Sequence, residues 1–169
     1  MDPIIILDDV FHSEGDQHEL HFIAEGIDTQ GEWRNWNKYG ENMETYYWLL
    51  AHKASSYYDI QQLKGMEMWT HLNTRPQGDM AGGWHYDKDE HRWATNKILS
   101  FPVCSLVYYT KVENLYGGRL LFRDVKITPK TNRLIIFGPG RQHRVESYKG
   151  TRCSLNINLW NRKLEEYDL

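Results

Sequence analysis

Cysteine is scarce: Cys104 and Cys153 are the only two in the chain. Two thiols cannot build the disulfide framework of a small secreted domain, and no CxxC pair offers a zinc site. Long apolar runs are also missing. The N-terminal PIIIL stretch is short and flanked by acids, so it reads neither as a signal peptide nor as a membrane span. A reducing, cytoplasmic setting is the expectation. There is no excess of positive charge either. The formal net charge is −3, which argues against nucleic acid as the obvious partner of the whole chain. Nor is there a repeat, a low-complexity tract or a linker that would divide the 169 residues, so one domain over 1–169 is expected.

What is present is aromatic and unevenly charged. Seven Trp and eleven Tyr supply bulk for a core or for pocket walls. Residues 1–60 carry three Lys or Arg against twelve Asp or Glu, and residues 111–152 carry ten against three. The basic block either meets an anionic substrate or consists of solvated strand faces.

Residues 3–7 read as a short buried strand. A helix is expected over 13–26, with Ser13 as N-cap and Asp16 in the capping-box position. Residues 29–42 read as a polar, aromatic loop, in which Trp33 and Trp36 either cover a pocket mouth or simply pack. A second helix is expected from Met43 to Tyr58, with Tyr46, Tyr47, Leu50 and Ala54 at helical spacing. From residue 65 the pattern changes to short apolar or alternating runs broken by Gly, Pro and Asn. Strands are expected near 66–72, 83–87, 98–110, 118–123, 133–138, 143–147 and 152–160. The fold class implied is an all-β core with flanking helices: a double-sheet jelly roll, or double-stranded β-helix, of cupin-like form. Residues 1–62 would be mostly helical support and residues 63–162 the jelly-roll core.

In the segment WHYDKDE (84–90), His85 and Asp87 sit two apart, so on a strand they face the same way. His143 follows a Gly-Pro-Gly turn far downstream. Two imidazoles and one carboxylate form the facial triad of non-haem iron sites. Zinc takes the same ligands, so the triad alone leaves the metal open. Arg152 lies nine residues past His143. A hairpin turning near Tyr148–Gly150 would bring it back beside that histidine. From Arg152 the alternation continues through Ser154, Asn156 and Asn158, while Cys153, Leu155, Ile157 and Leu159 face the other way. An inward polar row needs hydrogen-bond partners, and a bound dicarboxylate would supply them. His12, His18, His21, His52, His71 and His91 show no spacing that assembles a site, and Asp89 and Glu90 read as local caps or pairs. Arg75 and Trp84 flank a loop at the rim and are candidate substrate contacts.

Together, His85-X-Asp87, His143 and Arg152 resemble the signature of Fe(II)/2-oxoglutarate-dependent dioxygenases. The segments SLVYYTKVENLYGGRLLF (105–122), ITPKTNRLIIFGPGRQH (127–143) and HRVESYKGTR (143–152) are similar to the prolyl 4-hydroxylase-like branch. The resemblance covers residues 66–160. It implies Fe(II) on His85, Asp87 and His143, with 2-oxoglutarate and O2 as cosubstrates and ascorbate as a candidate reductant. It also implies that the far carboxylate of 2-oxoglutarate meets Arg152 and a tyrosine hydroxyl. Tyr109 matches the family's tyrosine, and Tyr108 is the alternative if the register shifts by one. Asn156 is a further candidate for the cosubstrate, and Gly117 and Gly118 read as backbone-shaping residues. The implied activity is hydroxylation with release of succinate and CO2. Candidate substrates are a prolyl residue in a peptide or protein, a small metabolite, or a nucleic-acid base. The last is disfavoured because asparagines continue the row where that branch has a second arginine. A non-catalytic cupin-like metal-binding module is the alternative from another class.

Overall fold

The computed structural model describes residues 2–27, 31–36, 45–73 and 83–167. Nine strands and three α-helices occur among them: β1 (Ile5–Leu7), α1 (Glu14–Glu25), β2 (Glu32–Asn35), α2 (Thr45–Ala54), β3 (Gly65–Asn73), α3 (Glu90–Asn96), β4 (Cys104–Gly117), β5 (Leu120–Phe122), β6 (Lys126–Ile127), β7 (Leu134–Phe137), β8 (His143–Val145) and β9 (Tyr148–Trp160). The strands form two antiparallel sheets. The large one has the order β1-β7-β4-β9-β3-β2 and the small one β6-β5-β8. This is the expected jelly roll, and its shape follows from where the apolar residues fall.

The central strands of the large sheet are buried on both faces, and their alternation feeds two separate cores. On one face Leu106, Tyr108, Leu134, Ile136, Leu155 and Ile157 pack against Leu20 of α1 and Leu50 of α2. On the other face Val107, Tyr109, Ile135 and Phe137 meet Leu120, Phe122 and Ile127 of the small sheet. Burying each such side chain contributes roughly 1.5–3 kcal/mol. A one-residue slip of β4 would exchange the two sets.

Helix α1 starts where expected. Ser13 Oγ accepts the Asp16 amide at 3.4 Å. The Asp16 carboxylate closes no capping box; it accepts instead from the Tyr46 hydroxyl of α2 at 3.0 Å, tying the two helices together. Helix α2 ends at Ala54 rather than Tyr58, because the Tyr57 and Tyr58 amides both converge on the Ala54 carbonyl at 2.9 Å. Residues 43 and 44 lie outside the described residues.

Several strand expectations need correcting. The supposed loop at 29–42 contains β2, which adds to β3 as an edge strand with Trp33 opposite Glu67. Both β1 and β2 belong to the large sheet, so the N-terminal third contributes strands as well as helices. The strand expected at 98–110 begins only at Cys104, after Pro102, and runs on to Gly117. The expected hairpin at Tyr148–Gly150 does not exist. Strand β8 pairs with β5 in the small sheet, whereas β9 already starts at Tyr148 and pairs with β3 and β4 in the large one. The chain changes sheet between Val145 and Tyr148. A second change of sheet, between β4 and β5, runs beside it through Gly117 and Gly118, whose φ values of 77° and 72° suit glycine. The Gly118 amide donates to the Ser147 carbonyl at 3.3 Å and so joins the two crossings.

Candidate metal centre

His143 opens β8, and His85 is joined to it by an isolated antiparallel bridge. The His85 amide donates to the His143 carbonyl at 3.0 Å, and the return bond is 2.9 Å. Only this one residue of the expected 83–87 strand is paired. It suffices to set the two imidazoles side by side, with ring centroids 4.4 Å apart. Asp87, two residues on, projects to the same side, and its Oδ1 lies 3.7 Å from His143 Nε2. One ligand atom from each of His85, Asp87 and His143 falls within 4.8 Å of the others.

The histidines are oriented alike. His85 Nδ1 lies 2.9 Å from the Gly83 carbonyl oxygen, and His143 Nδ1 lies 2.9 Å from that of Arg141. A carbonyl can only accept, so each Nδ1 carries the proton and donates. Each Nε2 is then left with a free lone pair for a metal. Burial, with Phe137 and Phe122 beside the ring, pushes the His143 pKa down, opposed by the Asp87 carboxylate. Two imidazoles and one carboxylate suit Fe(II), with room for further ligands.

Arg152 enters from β9. It is 2% exposed. Its Nε donates to the Gly118 carbonyl at 3.0 Å and its Nη2 to the Tyr109 hydroxyl at 3.3 Å. No carboxylate pairs with it among the described residues. A buried cation lacking an anion is costly, and a ligand carboxylate would offset that cost. Ser154 Oγ, in the same inward row, is buried without a hydrogen-bond partner. A cavity of about 70 Å³ touches His85, His143, Arg152 and Asn156 together. Next to it, and sharing Trp69, His71 and His85 as walls, a wider space of about 330 Å³ reaches Asp87 and Tyr86. The donor set fits a divalent metal, and the orphaned cation fits a dicarboxylate beside it.

Register puts the two tyrosines on opposite faces of β4. Tyr109 pairs with Ser154 on the inner face, while Tyr108 pairs with Leu155 and turns toward the helices. There its hydroxyl donates to Asn132 Oδ1 at 3.0 Å. Asn156 borders the cavity, held by a 3.4 Å bond from its Nδ2 to the Trp69 carbonyl.

Other candidates fall away from the cavity. Trp84 lies against the guanidinium groups of Arg123 and Arg144, at 4.0 and 5.2 Å. Arg75 lies outside the described residues. Trp33 stacks on Tyr167 and Trp36 packs at a tilt against Trp48, which is ordinary packing. Much of the basic block is engaged in ion pairs: Arg119 with Glu146, Arg133 with Asp8, Arg141 with Asp124. His71 is the residue that spacing did not reveal. It sits opposite Ser154 in β3 and borders both spaces, and its Nε2 lies 3.3 Å from Trp69 Nε1. The signal was in the sequence as an alternation: Glu67, Trp69 and His71 face one way, and Met66, Met68 and Thr70 the other.

No curated protein matches this sequence. Among solved structures, a Pseudomonas putida prolyl-4-hydroxylase is similar over 96% of this chain and 87% of its own, with a TM-score of 0.64 at 18% identity. A Trichoplax adhaerens prolyl hydroxylase, solved with a hypoxia inducible factor peptide fragment, covers 100% of this chain and 88% of its own, with a TM-score of 0.58 and 13% identity. A Burkholderia pseudomallei oxidoreductase of the 2OG-Fe(II) oxygenase family covers 95% and 86%, with a TM-score of 0.56 and 12% identity. At such identities the likeness is one of fold. The sequence itself is matched over residues 70–160, more than half its length, by the family model of the 2OG-Fe(II) oxygenase superfamily. The matched stretch holds His85, Asp87, His143 and Arg152, and the chain belongs to the 2OG-Fe(II) oxygenase superfamily, an enzyme family that implies Fe(II), 2-oxoglutarate and O2.

Proposed function

We propose that the chain is a 2-oxoglutarate-dependent hydroxylase acting as one catalytic domain over residues 1–169, with a prolyl residue of a peptide or protein as its substrate. The observation that carries the cosubstrate assignment is Arg152. It is a buried guanidinium without a carboxylate partner among the described residues, in a cavity shared with His85 and His143. The substrate assignment is supported by the fold shared with two prolyl hydroxylases, one of them solved with a peptide. The ion pairs of the basic block give no support to a nucleic-acid substrate.

In this reading His85, Asp87 and His143 hold the metal through two Nε2 atoms and one carboxylate oxygen. With iron, 2-oxoglutarate and O2 bound, the centre oxidises a substrate C–H bond to C–OH while 2-oxoglutarate becomes succinate and CO2. Arg152 and the Tyr109 hydroxyl grip the far carboxylate, and the Arg152 fork, already aligned by Gly118, fixes its direction. Asn156 adds a donor on the same wall. Val107, Leu120 and Val145 line the remainder and exclude water from the cosubstrate's chain. The wider space toward Asp87 and Tyr86 receives the substrate. Ascorbate serves as reductant. The two cysteines are free and buried, in keeping with a reducing cytoplasm. Among the described residues no helix is long and apolar enough to cross a membrane.

Anaerobic addition of Fe(II) and 2-oxoglutarate to the apo-protein tests the centre. A weak visible charge-transfer band is expected that needs both additions and is lost in His143→Ala. Prolyl peptides incubated aerobically should then gain one oxygen atom and yield succinate. A band without peptide oxidation would move the substrate to small metabolites. No band, with tight zinc binding, would overturn the assignment.

A further inference from the structure

Asp89 is the one carboxylate buried among the described residues, at 1% exposure, and it lies two residues beyond Asp87. Its Oδ1 accepts the Arg92 amide at 2.7 Å, capping α3. Its Oδ2 pairs closely with Arg162 Nη2, which also donates to Ser100 Oγ at 3.0 Å. The Asp89 amide donates to the Ser100 carbonyl at 2.9 Å. A helix of seven residues that buries no side chain has little need of so elaborate an N-terminus. Capping alone is satisfied by an exposed Ser or Asn.

The position of this cluster gives it another use. The ligand-bearing segment is pinned at His85 by its bridge to His143 and next at Asp89. Tyr86, Asp87 and Lys88 make no backbone hydrogen bond among the described residues. Asp87 therefore hangs between two fixed points, and its place depends on both. Arg162 lies two residues past the end of β9, the strand that carries Arg152 and Asn156, and its guanidinium lies 5.3 Å from the Trp160 ring.

We propose that the Asp89–Arg162 ion pair is a positioning device that ties the Asp87 segment to the cosubstrate-binding strand and so sets metal affinity. The inference rests on the reading of His85, Asp87 and His143 as metal ligands. Neither Asp89 nor Arg162 belongs to the ligand group of His85, Asp87 and His143, so both act through Asp87. Substitution of groups that orient metal ligands typically weakens metal binding by about 10–100-fold.

Asp89→Asn separates bracing from capping, since the amide oxygen still accepts the Arg92 N–H while the charge is lost. Arg162→Met removes the brace from the other side, and Arg162→Lys returns the charge without the fork. Fe(II) affinity is measured anaerobically for the four proteins, with the charge-transfer band recorded at saturating metal and 2-oxoglutarate. Asp89→Asn and Arg162→Met should bind Fe(II) at least about tenfold more weakly, with Arg162→Lys in between, and the band should shift. Iron affinity within about twofold of the parent in both charge-removing variants, with an unmoved band, would overturn the brace. Should Asp89→Asn fail to fold, the two Arg162 variants carry the same comparison. A parent protein that binds no iron would instead remove the ligand assignment, and the brace with it.

Discussion

Replacing Arg152 by Met separates a ligand-binding arginine from a structural one, because the two roles predict opposite outcomes. The guanidinium is 2% exposed and makes two hydrogen bonds, to the Gly118 carbonyl and the Tyr109 hydroxyl. Those bonds contribute roughly 1.5–3 kcal/mol each. Against them stands the desolvation of an unpaired charge, roughly several kcal/mol. The terms nearly cancel, and Met keeps most of the packing volume. Apo stability should change by no more than about 1 kcal/mol. Binding of 2-oxoglutarate should behave quite differently. Losing a buried charge partner costs about 2–4 kcal/mol, or about 30- to 1,000-fold in affinity. The assay is thermal unfolding of the Mn(II)-loaded protein with and without cosubstrate. At a concentration 100 times the parent Kd the ligand stabilises by about 2.7 kcal/mol. In a chain of this size that is a rise of about 5–10 °C. A 100-fold weaker variant at the same concentration gains only about 0.4 kcal/mol, a rise of about 1–2 °C. A variant that keeps the full rise, or that loses several kcal/mol in the apo form, would show that Arg152 holds up the fold and not the cosubstrate.

The neighbouring tyrosines offer a paired comparison. Tyr109→Phe should weaken 2-oxoglutarate by about 1 kcal/mol with little effect on stability, whereas Tyr108→Phe should cost about 1 kcal/mol of stability and leave the ligand alone; titration and denaturant unfolding of both would detect the reverse. Asp87→Ala should abolish Fe(II) binding and turnover while the far-ultraviolet circular dichroism stays that of the parent. His21, whose Nδ1 lies 2.9 Å from Thr110 Oγ1, has its pKa pushed below 6.5 by burial. Its contribution is complete above that value. As pH falls through 6.5 the unfolded chain takes up a proton that the folded chain resists, so stability declines; His21→Gln should flatten that part of the denaturation-versus-pH curve.

How much of this was legible depends on whether a residue's role was local. The polar row from Arg152 to Asn158 could be read because it lies on one long strand, where alternation is strict. His85 and Asp87 could be read for the same reason, although the strand proved to be a single bridge. Tyr108 and Tyr109 could not be separated, since adjacent residues on a strand differ only in face, and the face is set by partners in β7 and β9. Strand β2 was invisible because all four of its residues are half-buried on a sheet edge, which leaves no alternation of polarity. Helix α3 buries nothing and so leaves no periodic trace. The hairpin error has the same root. A step of nine positions from His143 to Arg152 suits a turn, and nothing local says that the chain is leaving one sheet for the other. His71 went unnoticed because its neighbours in space, Ser154 and His85, are remote in sequence.

The bridge at His85 has a consequence for how the protein lives without its metal. At the metal-ligand end, the His85 wall of the active site meets β8 through a single pair of backbone hydrogen bonds. Coordination would fasten that wall a second time, joining two points far apart along the chain, and would favour the folded form over the unfolded one by mass action. Iron would then be a fastener as well as a reagent. A cell short of iron would hold a less durable protein, and not merely an idle one, so its supply would govern how long each copy survives proteolysis as well as how fast it turns over.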